Sequence, residues 1–297
     1  MQNTNSGTVL ITGASSGIGR ELAYQFAQNG HPVILTARDA GDLEQVAADL
    51  SAKYQISARF VALDLEHPEA PQRLAATLQQ EGIEIDILVN NAGFGQRGKF
   101  WEIPLETNLG ICRVNMEAPV RLTHTLLPAM IARGRGRILN TASIAGFYPA
   151  PTLAIYHASK AFVLSWSDAL ATELEGTGIT VTALCPGATD TDFFVEGDMI
   201  DTKAFQKSQV AAPQEVAAKG YDALMRGDRV FVPGGMNKLM VFLRRLLPES
   251  TQAKAMESLY EKTADIERNR GSVERKTTRR ETSPRGMGKS PQRTSKE

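Results

Sequence analysis

Cysteine is scarce. The 297 residues hold two, Cys112 and Cys185, too few for a disulfide framework and without the spacing of a metal site. Both sit in segments that pattern as buried, so a reduced, cytoplasmic setting is expected, with no metal. No uninterrupted apolar run approaches the ~20 residues of a membrane-spanning helix. The first eight residues are polar and lack the basic, apolar and cleavage regions of a signal peptide. Net charge is formally zero, with 33 residues of each sign, and no specific nucleic-acid partner is expected. Internal repeats are absent.

The balance of charge conceals an asymmetry. Residues 268–297 carry ten Lys/Arg against three Asp/Glu, a surplus of seven that residues 1–267 cancel. This stretch has one Val, one Met and no aromatic residue, so it is expected to be a disordered basic tail. Over the whole chain 42% of residues are hydrophobic, ample for a core. Strand-like runs alternate with helical periodicity, which predicts one α/β domain: a doubly wound, Rossmann-type parallel sheet of about seven strands with helices on both faces. The expected layout is a catalytic domain over 1–235, a helical extension over 236–267 and the tail over 268–297.

Tyr156-His157-Ala158-Ser159-Lys160 places a phenol and an ammonium four residues apart, on one face of a helix. A free tyrosine titrates near pKa ~10, and a neighbouring cation lowers an acid by about 1–3 units. Lys160 is therefore expected to make Tyr156 more acidic, with help from a second positive charge such as an oxidised nicotinamide.

Residues 8–13, Thr-Val-Leu-Ile-Thr-Gly, read as a buried strand followed by Ala14-Ser15-Ser16-Gly17-Ile18-Gly19 and an amphipathic helix through Leu22, Ala23 and Phe26. Gly13 permits the exit from the strand, Gly17 the approach of a pyrophosphate, and Gly19 close packing of helix on sheet. The helix amides then face the phosphates. A second strand, 31–37, ends at Ala37-Arg38, where an NAD enzyme usually places an acid. A guanidinium there suits a 2′-phosphate, with Arg20 as a second nearby charge. Asp39 is read as the N-cap of a helix through Leu43, Val46 and Leu50. NADP(H) is preferred on this reading, and NAD(H) is possible. Asp64-Leu65 ends a third strand, and 86–89 runs into Asn90-Asn91-Ala92-Gly93, at the edge where such sheets bind ligands.

Together with Asn115, Ser143 and Pro186-Gly187, these motifs resemble the short-chain dehydrogenase/reductase superfamily over about residues 8–235. The resemblance implies a catalytic set of Asn115, Ser143, Tyr156 and Lys160. Tyr156 is the general acid or base, Lys160 lowers its pKa and holds the nicotinamide ribose, Ser143 polarises the carbonyl, and Asn115 holds a water leading to solvent. It further implies cofactor contacts at Gly13, Ser15, Ser16, Gly17, Ile18, Gly19, Arg38, Asp64, Leu65, Asn90, Ala92, Gly93, Tyr156, Lys160, Pro186, Gly187 and Thr189. Pairing through the long helices matching 106–132 and 155–176 would give a homodimer or homotetramer.

Phe94, Phe147, Tyr148, Phe193, Phe194 and Met199 are expected to wall an apolar cleft, which points to a hydrophobic ketone or aldehyde. The apolar residues of 236–247 recur at helical spacing up to Pro248, and a polar helix is expected from about Ser250 to Arg268. The first of these helices can pack on the body or another subunit, wall the cleft, or touch a membrane surface weakly. Three functions fit: an NADPH-dependent carbonyl reductase, favoured by the full catalytic set; an NAD-linked alcohol dehydrogenase; and a non-catalytic dinucleotide sensor.

Overall fold

The computed structural model describes residues 6–206 and 210–262. Seven strands alternate with helices: β1 Val9–Thr12, α1 Gly17–Gln28, β2 Val33–Ala37, α2 Ala40–Tyr54, β3 Ala58–Ala62, α3 Ala70–Gln80, β4 Ile87–Asn90, α4 Leu105–Cys112, α5 Ala118–Arg133, β5 Gly136–Thr141, α6 Ala154–Glu173 and β6 Ile179–Leu184. The short helices α7 Asp192–Glu196 and α8 Lys203–Gln206 follow, then α9 Pro213–Arg226, β7 Val230–Phe231, α10 Gly235–Leu243 and α11 Glu249–Leu259. The sheet order is β3-β2-β1-β4-β5-β6-β7, parallel at every pairing. This is the doubly wound α/β sheet that the sequence predicts.

The two-residue period of a strand builds both layers. In β1, Val9 and Ile11 face a cluster with Phe26 of α1, Leu43 and Leu50 of α2, and Val216 and Leu224 of α9. Leu10 faces the opposite cluster, with Leu74, Leu78, Leu122 and Leu170 from α3, α5 and α6. Chain order reverses between β1 and β4, which lie side by side. Loops leaving their carboxyl ends therefore diverge and open a crevice.

The predicted helical segment 106–132 is not uniform, because a π-helical turn, Arg113–Glu117, joins α4 to α5. The last strand, β7, has only two residues and follows the fourteen-residue α9. Beyond residue 235, α10 ends at Leu243, a 3₁₀ turn covers Arg244–Leu246, and α11 starts directly after Pro248. Residues up to Glu261 form one compact unit, so α10 and α11 belong to the same body as the sheet. The rest of the polar helix predicted to reach Arg268, and the 268–297 tail, lie outside the described residues. Among the described residues no helix is long and apolar enough to cross a membrane, and no His/Cys/Asp/Glu cluster could hold a metal ion.

Candidate active site

The chain leaves β1 through Gly13 at φ +65°, a left-handed turn that excludes most side chains. Thr12 Oγ1 anchors this turn to the next loop, accepting from the amides of Asn91 and Ala92 at 2.9 and 3.0 Å. A Cβ on Gly19 would lie 2.1 Å from Gly13 O, so only glycine lets α1 approach that closely. Ser16, the N-cap, makes no side-chain cap, and the first turn holds no acid. The helix thus begins with its amide donors uncapped by any side chain, which is the arrangement an anion fills.

Those amides line one end of a cleft of about 550 Å³ that runs past Ala37–Asp39, Asp64–Leu65 and Asn91–Gly93 to Ser143, Tyr156, Lys160, Pro186, Gly187 and Thr189. Arg38 is exposed on its wall and pairs with no carboxylate among the described residues. Asp39 accepts from Asp42 N at 2.8 Å, so its carboxylate caps α2 as the sequence suggests. Arg20 instead pairs with Glu21 at 3.4 Å and is not on the wall. Asp64 lines the cleft and accepts from Glu66 N at 2.9 Å through one carboxylate oxygen.

Three predicted site residues fall elsewhere. Asn90 is buried, donating to Thr123 Oγ1 at 3.1 Å and Asn140 Oδ1 at 2.8 Å, because the strand's alternation turns it away from its neighbour. Asn91, not predicted as a contact, lines the cleft and holds the glycine turn through Thr12 O and Gly13 O. Gly19 lies behind the wall, where its role is packing. Asn115, in the π turn, donates to Phe94 O and Ser159 Oγ and accepts from Phe94 N, each at 3.0 Å. Both amide protons are used, so one lone pair is all it has left for the predicted water. Its evident work is to fix the Phe94 backbone beside Gly93, where a Cβ would meet both Asn115 Oδ1 and Lys160 Nζ.

Tyr156 and Lys160, which their helical spacing puts on one face, line the cleft together with Ser143, which the resemblance adds. Lys160 is buried and donates to Thr141 O at 2.8 Å; burial pulls its pKa down to about 8, opposed by the nearby Cys185 thiol. Ser143 Oγ accepts from Ala145 N at 3.1 Å and donates to Pro186 O across a long 3.3 Å. Tyr156 departs from expectation. Burial pushes its phenol up to about 12, against the opposing hydrogen bond with the Ser143 side chain. The Lys160 ammonium is 5.8 Å from the ring centre, but desolvation prevails. In the protein alone the phenol is a held proton, not an acidified one.

Phe94, Phe193 and Phe194 line the cleft, whereas Met199 is packed beneath its loop and Phe147 and Tyr148 turn away. Gly95 lies against the Tyr156 ring, and Phe193 is 5.0 Å from it between centroids. Carboxylates of Glu66, Asp192 and Glu196 reach the rim as well. The helical extension packs on the body beside the site, one of the roles its apolar spacing allows. Tyr148 Oη donates to Met240 O at 2.6 Å, Arg244 donates to Phe147 O, and Asn237 packs against Gly187. His157, next to Tyr156, meets Tyr260 Oη through Nε2 at 3.2 Å and Tyr148 O through Nδ1 at 2.8 Å. Burial, and after it the neighbouring Tyr156, raises the Tyr260 pKa.

The uncapped α1 amides, the Arg38 guanidinium and the length of the cleft fit an elongated dianionic ligand of dinucleotide type. Comparison with known proteins agrees with this geometry. The chain is 41% identical over 176 residues to a very-long-chain 3-oxoacyl-CoA reductase of Phaeosphaeria nodorum, covering 58% of this chain and 52% of that protein. The chain thus spans about half the length of that relative. It is 37% identical over 219 residues to 1-deoxy-11-beta-hydroxypentalenate dehydrogenase of Streptomyces exfoliatus, covering 72% of this chain and 78% of the other. In structure it is similar to a short-chain dehydrogenase from Sphingobium yanoikuyae in complex with NADPH, with TM-score 0.72, 31% identity, and 82% and 97% of the two chains covered. The short chain dehydrogenase family profile matches residues 7–198, and the chain belongs to that family.

Proposed function

We propose that this protein is an NADP(H)-dependent oxidoreductase that reduces a hydrophobic ketone or aldehyde to the alcohol. The observation that carries the reading is that one cleft joins the uncapped start of α1 and the exposed Arg38 to Ser143, Tyr156 and Lys160. Gly13, Ser15–Ile18, Leu65, Ala92 and Gly93 would hold the dinucleotide body, and Pro186, Gly187 and Thr189 its nicotinamide end. When bound, NADPH supplies the hydride.

The chain's own residues then manage charge and protons. The Ser143 hydroxyl is only loosely held by Pro186 O and can turn to the substrate oxygen. Tyr156 stays protonated at any ordinary pH and so can donate to the same oxygen as negative charge develops there. Each such donor contributes about 3–4 kcal/mol to a developing oxyanion. The phenolate left behind is stabilised by the neighbouring Lys160 ammonium. A protonated phenol suits the reduction direction. The three phenylalanines and Val114 on the wall support an apolar substrate, as do the names of the two curated relatives. Exposed Leu105 and Leu109 on α4 and Phe162 on α6 favour homo-oligomers through that face.

A panel of bulky apolar and small hydrophilic carbonyl compounds, followed by NADPH consumption, tests the reading alongside Tyr156→Phe. Apolar ketones should turn over, and the variant should lose about 10²–10⁴-fold in kcat while binding NADPH as before. Turnover retained in Tyr156→Phe would remove the mechanism; activity confined to hydrophilic compounds would remove the substrate class.

A further inference from the structure

Residues 190–206, with α7 and α8, carry a row of rings to the catalytic tyrosine. Phe193 lies 5.0 Å from the Tyr156 ring and 5.5 Å from Phe194, which lies 4.9 Å from Phe205. Such pairs hold one another at fixed angles and move as a unit. Met199 is buried beneath them and Val195 is exposed above. The segment is thus an apolar lid on the Tyr156 end of the cleft.

Residues 95–98 run between this lid and the body. A Cβ on Gly197 of the lid would lie 2.9 Å from Gly95 O, and one on Gly95 would lie 2.9 Å from Tyr156 Cδ2. Gly98 N donates to Thr152 O at 2.9 Å, which ties the strap to the body. Arg97 ties it to the lid. Its amide donates to Gly197 O at 3.1 Å, its Nε to Asp198 O at 2.8 Å and its Nη2 to Asp198 Oδ2 at 3.0 Å. One guanidinium fork therefore grips a carbonyl and a carboxylate of the same residue, which a lysine cannot do. Asp198 sits at φ +55°, a conformation that persists in a non-glycine residue where its surroundings hold it. A separate tie secures the far end of the lid: Lys203 donates to Glu261 O at 3.2 Å and pairs with its carboxylate at 2.7 Å. Arg97 holds the end that lies on Tyr156.

We propose that Arg97 is a positioning residue that sets substrate size: it latches the lid shut with Phe193 against Tyr156, and so admits compact apolar carbonyl compounds ahead of bulky ones. Gly95 and Gln96 line the cleft but Arg97 does not, so it acts through the lid. The cleft of about 550 Å³ has to hold a dinucleotide as well as the substrate. A bulky group beside Phe193 then needs the lid lifted, and the Arg97–Asp198 fork opposes that movement. The size limit rests on the carbonyl reductase reading, whereas the latch rests on the geometry alone.

Limited digestion of the full chain with chymotrypsin, which cuts after aromatic residues such as Phe193, Phe194 and Phe205, reads the latch directly. Arg97→Gln should speed cleavage within 190–206 by about 10-fold, the worth of one charge-assisted bond, and Arg97→Lys should fall between it and the parent. In turnover, Arg97→Gln should raise the ratio of kcat/KM for bulky over compact apolar ketones by about 10-fold, chiefly through KM, with NADPH affinity unchanged. If Arg97→Gln fails to fold, Asp198→Asn carries the same test in milder form, since it keeps the carbonyl bond to Nε and suits a left-handed backbone. Cleavage of the lid at the parent's rate overturns the latch, and an opened lid with the parent's substrate ratio overturns the size limit. Digestion needs neither cofactor nor substrate. Absence of carbonyl turnover in parent and variant alike would therefore fell the reductase reading and leave the latch to be decided by cleavage.

Discussion

At Lys160 an ammonium sits at 6% exposure and donates to one carbonyl, Thr141 O. Its pKa falls from 10.5 to about 8 in the folded chain, because burial penalises the charged form although the ammonium still predominates at pH 7. Folding stability is therefore lowered below pH ~8, where both states are charged, and recovers as pH rises toward ~10.5. Lys160→Met should abolish reduction yet raise stability at pH 7 by about 1–3 kcal/mol, after allowance for the lost bond to Thr141 O. That advantage should fade between pH ~8 and ~10.5, and urea melts across this range check it. A destabilised Lys160→Met at neutral pH would show that the buried charge is compensated in another way. Arg38 stands at the other end of the cleft, free of any described carboxylate, so Arg38→Asp should shift preference from NADPH toward NADH by about 10–100-fold, the worth of a charge-assisted pair. An unchanged ratio of kcat/KM for the two cofactors would deny Arg38 its part. The sequence made the positions of Tyr156 and Lys160 legible, because one helix fixes their spacing. It hid the direction of the phenol's shift, since desolvation comes from β5, the 92–95 loop and Phe193, none of them adjacent in the chain.

Among the elements, α11 is the one whose catalytic contact no local pattern announces. His157 Nδ1 is 2.8 Å from Tyr148 O, a carbonyl, so this nitrogen must carry the proton. Nε2 is then the acceptor, and Tyr260 Oη donates to it. Burial lowers the His157 pKa, which keeps this tautomer neutral. The C-terminal helix thus steadies the first turn of α6, from which Tyr156 projects. Tyr260→Phe leaves Nε2 without its donor at a cost of about 0.5–1.5 kcal/mol, and kcat should fall by about 3–10-fold at unchanged KM for NADPH. Equal kcat in the variant would confine Tyr260 to packing. The π turn shows the reverse case: helical periodicity through 106–132 is plain in the sequence, but the extra residue that aims Asn115 at Phe94 leaves that periodicity nearly intact.

Over the whole molecule, the doubly wound sheet and the cleft at its reversal were readable because strand periodicity, glycine turn and helix caps all agree locally. What could not be read is long-range. Asn90 and Asn91 look alike in sequence and part only when the sheet sets one inward, and the fate of Phe147 and Tyr148 depends on where α10 and the turn after it land. The same long range carries a kinetic consequence. Thr12 takes its hydroxyl partners from Val89, Asn91 and Ala92, 77 to 80 residues downstream, and β1 gains its second neighbour only when β4 arrives. Pairings this distant make a slow search. On the ribosome the glycine turn must therefore wait, unsupported on one side, until the chain has grown past residue 92, and a variant that loosens β4 should lengthen that exposed interval before it changes anything in the finished fold.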